Sequence, residues 1–172
     1  KPEVFIARGA IKTPEQRIPE KPLEGPWEAC MTMGKQWAYK PKDTYKSVNT
    51  LVENLVKVRA MGGNYLLNVG PKPDGTLPAE QVEILDKLAA WMGINGEAIH
   101  SVRPWEVGHE DTTWFTRSKD GDTVYAILTE WPEGGKVTIE ALADPAVEDV
   151  LMLGADGELE YEQTEKGLAV TL

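Results

Sequence analysis

The chain has 172 residues, 41% of them hydrophobic, with a net charge of −10 and a single cysteine. That apolar content supports a packed core rather than a disordered chain, and the negative charge argues against nucleic acid or an anionic membrane surface as partner. Cys30 alone makes neither an intrachain disulfide nor a thiolate zinc cluster, His100 and His109 do not make a histidine-rich metal site, and no apolar run has the length of a membrane-spanning helix.

The chain opens Lys1-Pro2-Glu3-Val4, without an initiator Met, and reads as the interior of a longer protein. Residues 3–7 are a short candidate strand. Prolines at 14, 19, 22 and 26 predict a long loop over 8–26, and such a loop inside a domain usually serves a function. A strand follows at 27–33, then a second loop at 34–45 carrying Trp37 and Tyr39. Ser47 starts a helix whose Val48, Leu51, Val52, Leu55 and Val58 share one face, and Gly62-Gly63 ends it. The run 64–69, bounded by that glycine pair and by Gly70-Pro71, reads as a strand buried on both faces. Asn68 near its end either ties down a neighbouring loop or contacts a substrate. Pro78 opens a second helix with Val82, Leu85, Leu88, Ala89 and Met92 inward. Strand, helix, strand, helix is the repeat of a parallel sheet with crossovers.

Beyond Trp105 the pattern changes to short β-rich runs at 112–116, 123–128, 136–139, 147–153, 159–161 and 168–172, separated by glycine turns. These predict an antiparallel β-sandwich. The expected division is 1–105 and 106–172, an α/β segment followed by an all-β one. Trp114 and Trp131 read as strand or turn packing.

Among 28 acidic residues, two stand out by context. Glu15 sits in the proline-rich loop, with Pro14 fixing the backbone before it. Glu28 follows Trp27 at the start of a strand. Hydrolysis of a glycosidic bond needs a carboxylic acid to protonate the leaving oxygen and a second carboxylate as nucleophile or base. An aromatic neighbour supplies the partial desolvation that keeps such an acid protonated. Other chemistries lack their parts: Gly62-Gly63 precedes a strand rather than a helix, neither Ser47 nor Ser101 sits in a nucleophile elbow, and Asp74-Gly75 is a turn.

The segments Thr13-Pro14-Glu15-Gln16-Arg17-Ile18-Pro19, Trp27-Glu28-Ala29-Cys30-Met31-Thr32-Met33, Trp37-Ala38-Tyr39, Gly62-Gly63-Asn64-Tyr65-Leu66-Leu67-Asn68-Val69-Gly70-Pro71 and Asn95-Gly96-Glu97-Ala98-Ile99 resemble, in order and spacing, the C-terminal part of retaining α-L-fucosidases of glycoside hydrolase family twenty-nine. The resemblance implies the C-terminal part of a (β/α)-barrel followed by an antiparallel β-sandwich. It implies Glu15 as general acid/base and Trp37 as the wall against the fucose methyl group, with Trp27 beside it. Glu28 is implied as a second carboxylate or an orienting residue. No metal and no organic cofactor are implied. The expected partners are fucosylated glycans and an N-terminal barrel portion that supplies the nucleophilic Asp. Two departures stand out: Gly9-Ala10-Ile11 replaces an acidic segment, and Ala38 replaces a glycine. The competing expectation is a non-catalytic glycan-binding or scaffold module.

Overall fold

The computed structural model describes residues 11–144 and 146–172, so the candidate strand at 3–7 and the Gly9-Ala10 departure lie outside the described residues. Helix α1 (Val48–Ala60) starts where Ser47 takes an extended backbone and its hydroxyl accepts the Thr50 N–H at 3.1 Å. It ends in a two-glycine cap. Gly62, at φ +79°, donates to Arg59 O at 3.0 Å, and Gly63 donates to Val58 O at 2.9 Å. Gly63 has a second reason to be glycine, because a Cβ there would overlap the six-membered ring of Trp27.

From this cap the chain enters β2 (Asn64–Asn68), which pairs in parallel with β1 (Glu28–Thr32), Glu28 opposite Asn64 and Thr32 opposite Asn68. Helix α1 is the crossover, and its Val58 and Met61 beyond it pack with Trp27 and Ala29 into one buried cluster. Leu51 and Val58 are buried as the helical spacing predicts, and Val56 joins them. β2 departs from the expectation of burial on both faces, since Leu66 is 46% exposed. Helix α2 (Ala79–Asn95) departs as well. Gln81 is its only buried residue, and Val82 of the expected inward face is exposed, as is Ile94.

The junction is a polar stitch. The Arg59 guanidinium donates to Gly63 O at 2.7 Å, Ile99 O at 3.2 Å and Val102 O at 3.4 Å, so one side chain gathers the end of α1, the start of β2 and the connecting segment. The buried Thr116 hydroxyl donates to Ala98 O at 2.8 Å. Trp114 stacks on His109 at 4.4 Å, carries the Lys57 ammonium 5.7 Å from its ring centroid, and packs on the Trp27 cluster.

Two antiparallel three-stranded sheets follow. One has the order β3 (Arg103–Glu110), β4 (Thr113–Arg117), β5 (Val124–Leu128); the other has β6 (Lys136–Ile139), β8 (Gly167–Thr171), β7 (Tyr161–Thr164). Phe115 of β4 meets Ile139, Leu168 and Val170 of the facing sheet, so the core lies between the layers of a β-sandwich. β3 was not among the expected runs, and the expected division at 105/106 falls inside it; its register shifts between Pro104 and His109, which breaks the alternation that marks a strand. The expected strand at 147–153 is a loop, closed by a lone Leu151–Glu158 bridge with Leu151 67% exposed. Trp131 stands exposed rather than packed.

Gly63→Ala is expected to cost about 1–3 kcal/mol through the forced overlap with Trp27. Gly93→Ala, which meets open space inside α2, should be neutral or stabilising. Denaturant midpoints of the two variants that fail to move in this order would refute the assignment. The Tyr125 hydroxyl donates to Glu97 Oε1 at 2.7 Å across the junction, and burial, that hydrogen bond and the Glu97 and Asp120 charges push its pKa up to about 12. An unfolded chain loses this proton near 10, so between about 10 and 12 the unfolded state binds fewer protons and stability falls as pH rises. A tyrosinate absorbance titration should show a late phase near 12 that Tyr125→Phe removes.

Candidate active site

The segment expected as loop is in part a third member of the parallel sheet. Lys12 bridges Trp27 and Glu15 bridges Cys30, both in parallel. Glu28 N–H donates to Lys12 O at 2.9 Å, Cys30 N–H to Pro14 O at 3.0 Å, and Gln16 N–H to Cys30 O at 2.9 Å. Pro14 fits because only its carbonyl is asked to pair. Alternation along β1 sends Trp27, Ala29 and Met31 to the helix layer and Glu28, Cys30 and Thr32 to the opposite face. Register places Leu66 and Asn68 beside Cys30 and Thr32, and Glu15 on the other flank of Cys30. Glu15 and Glu28 therefore share the open face. They lie two residues along and one strand across, about 8 Å apart at Cα.

Residue by residue, the outcome is mixed. Glu15 is exposed at the last paired position before the strand ends, and Glu28 is half-buried at the opposite, N-terminal end of β1. Trp37 is 38% exposed and lines a cleft of about 500 Å³ together with Gln16, Thr32, Tyr45 and Lys46. Trp27 is corrected. At 1% exposure it is core, closed in by Gly63 and α1, and has no surface to offer a sugar. Asn68 does hold a loop, but through its backbone, whose carbonyl accepts Met33 N–H at 3.0 Å; its Oδ1 is buried without a hydrogen-bond partner among the described residues.

Residues outside the expected set build the cleft. Thr32, 1% exposed, is its hub. Its hydroxyl accepts the Gln16 amide at 2.9 Å and donates to Gly34 O at 2.5 Å, while its carbonyl accepts the Lys46 ammonium at 2.5 Å. Burial lowers the Lys46 pKa, with the Asp43 carboxylate opposing. The segment carrying Trp37 is pinned from behind: a Cβ on Gly70 would lie 3.0 Å from Tyr39 N, and Gly70 N–H donates to the buried Gln81 Oε1 at 3.0 Å, whose amide nitrogen in turn bonds the Tyr45 hydroxyl at 3.3 Å. Ala38 is not among the residues with positive φ, so its replacement of glycine brings no left-handed strain. Gln16 and Thr32 stand inside the segments that carry the resemblance, yet nothing in the sequence singled them out within those segments, and Lys46 lies outside them.

Two family models divide this chain between them, "Alpha-L-fucosidase" over residues 3–97 and "Alpha-L-fucosidase C-terminal domain" over 109–172. The chain belongs to the α-L-fucosidase family. Human tissue α-L-fucosidase is 36% identical over 154 residues, covering 85% of this chain and 33% of the relative. α-L-Fucosidase isoenzyme 1 from Paenibacillus thiaminolyticus superposes with a TM-score of 0.84 at 27% identity, over 93% of this chain and 40% of that one. The α-fucosidase of Thermotoga maritima, solved in complex with a mechanism-based inhibitor, gives 0.83 at 31% identity, over 97% of this chain and 39% of that one. The fucosidase chain described here thus spans about a third of the length of the curated relatives it matches.

Within this fucosidase segment, Lys46 fastens the 34–46 loop to β1. Lys46→Met is expected to leave the Thr32 carbonyl without its charged donor, at a cost of about 1–3 kcal/mol. Limited proteolysis should then cut faster within 34–46 while the far-ultraviolet circular dichroism stays unchanged; equal cutting rates would show that the ammonium does not hold the loop.

Proposed function

We propose that this chain is the C-terminal part of an enzyme that hydrolyses terminal α-L-fucosyl linkages by retaining double displacement, with Glu15 as general acid/base. The observation that carries the reading is the parallel Glu15–Cys30 bridge, which puts Glu15 at the C-terminal edge of a parallel sheet, the edge where barrel enzymes assemble their sites. Trp37, on the cleft that Gln16, the residue after Glu15, also lines, offers an apolar wall to the methyl group of a 6-deoxy sugar. Glu28, about 8 Å away at Cα on the same face, orients polar groups at the base of the site. The mechanism-based inhibitor bound to the Thermotoga relative agrees with a covalent course.

In the first step an Asp carboxylate oxygen, from the barrel portion outside this chain, bonds to the anomeric carbon. The glycosidic C–O bond breaks, and its electron pair takes the proton of Glu15. In the second step Glu15, now a carboxylate, removes a proton from water as the water oxygen displaces Asp. Neither step is complete without that Asp, so the isolated chain is inactive. The missing barrel portion also suits the surfaces left open here: β2 has no second neighbour among the described residues, and Leu66 of β2 and Val82 and Ile94 of α2 are exposed.

Glu15→Gln in the complete enzyme is expected to lower kcat on natural fucosides by about 10²–10⁴-fold with little change in KM. Turnover within a few-fold of the parent enzyme would sink the assignment.

A further inference from the structure

Gln16 has φ +53°, a left-handed backbone that glycine adopts freely and glutamine does not. The turn comes directly after Glu15 and ends the pairing with β1. Such a conformation persists only where its surroundings impose it, and here they do so three times. The Gln16 N–H donates to Cys30 O at 2.9 Å; its side-chain amide donates to Thr32 Oγ1 at 2.9 Å; its Oε1 lies 3.4 Å from Thr32 N. Glu15 is therefore held on both sides, by Pro14 O accepting from Cys30 and by Gln16, while its own side chain stays exposed. Thr32 also accepts from Lys46 and donates to Gly34, the two ends of the segment that carries Trp37.

We propose that Gln16 and Thr32 are positioning residues that aim the Glu15 carboxyl at the glycosidic oxygen and keep it in register with Trp37. The proposal rests on the acid/base role given to Glu15 above. Without the amide-to-hydroxyl bond the left-handed turn loses its tether, and the Glu15 carboxyl just before it swings. Proton transfer is sensitive to displacements of about 1 Å, on the order of a hundredfold in rate. Binding of the sugar through Trp37 is less affected, because Thr32 keeps its backbone bond to Lys46.

The test uses the complete fucosidase and four variants: Gln16→Ala, Thr32→Val, Thr32→Ser and Glu15→Ala. Each is assayed on an unactivated fucoside and on an aryl fucoside whose leaving group needs no proton, with and without azide. Azide attacks the fucosyl-enzyme without base catalysis, forming a C–N bond as the ester to Asp breaks. Gln16→Ala and Thr32→Val should lose about 10- to 100-fold in kcat on the unactivated fucoside. They should lose far less on the activated one and gain turnover with azide, at nearly constant KM. Thr32→Ser, which restores the hydroxyl, should recover most of the rate. A loss equal on both substrates, a loss confined to KM, or no loss overturns the positioning role. Glu15→Ala separates the two readings. If it shows leaving-group dependence and azide rescue while the other variants do not, only the positioning proposal fails; if Glu15→Ala shows neither, the acid/base assignment falls and this one with it.

Discussion

The indole of Trp27 is the constraint from which the rest of the molecule is built. With Ala29, Val58 and Met61 it forms one buried cluster between the sheet and α1, and three further parts of the chain pack against that cluster: Ile18 and Leu23 from the segment after Glu15, Tyr65 from β2 and Trp114 from the sandwich. Truncating such a side chain to alanine costs on the order of 3–5 kcal/mol, a large share of a domain's net stability. The indole also dictates its neighbours. Gly63 has no side chain because the ring occupies that volume, and the α1 cap turns on a glycine pair because the chain must reach β2 directly beneath it.

On this base the polar groups fall into two sets. Arg59 sits at the junction and spends its guanidinium on three backbone carbonyls, which burial makes necessary, since unpaired carbonyls there would cost as much as lost hydrogen bonds. Burial, and then the nearby Arg103, lowers its pKa. The second set, Gln16, Thr32 and Lys46, gathers at the opposite end of β1, where the site face opens. Apolar packing anchors one end of the strand and a hydrogen-bond knot holds the other. The acidic loop is fixed at both.

Much of this was legible in the sequence. Ser47, the apolar spacing of α1 and the glycine pair are local signals, and the helix they predict is there. The strands that pair through short turns were found to within a residue or two, as with β4, β5 and β6. The pairing of residues 12–16 was hidden because prolines read as loop, whereas Pro14 is asked only for its carbonyl here and the N–H that pairs with Cys30 comes from Gln16. β3 was hidden by the irregularity between Pro104 and His109. The aromatic residues show the sharper limit. Trp27 and Trp37 both stand in motif segments, and nothing in their types separates a core indole from a cleft indole. The distinction comes from Gly63, thirty-six residues on from Trp27, and from the register that lays it against the ring. Glu15 drew attention through its proline-rich setting and the resemblance, but its pairing with Cys30 did not show in the sequence, and Thr32, a buried threonine at the end of an apolar strand, looked like any β-branched core residue.

The sharing of Trp114 between two cores bears on how separable the sandwich is. This indole belongs to β4, yet it packs on the Trp27 cluster, with His109 on its ring and Lys57 of α1 within cation–π reach. Thr116, on the same strand, is bonded to Ala98 before the sandwich begins. A cut made at the junction to isolate either part would strip an aromatic face from one and a hydrogen-bonded carbonyl from the other. The sandwich is therefore not a detachable module that can be exchanged at will between enzymes. Through Trp114 it packs against the same buried cluster as the parallel sheet that carries Glu15, and through Thr116 it is hydrogen-bonded to the segment before it.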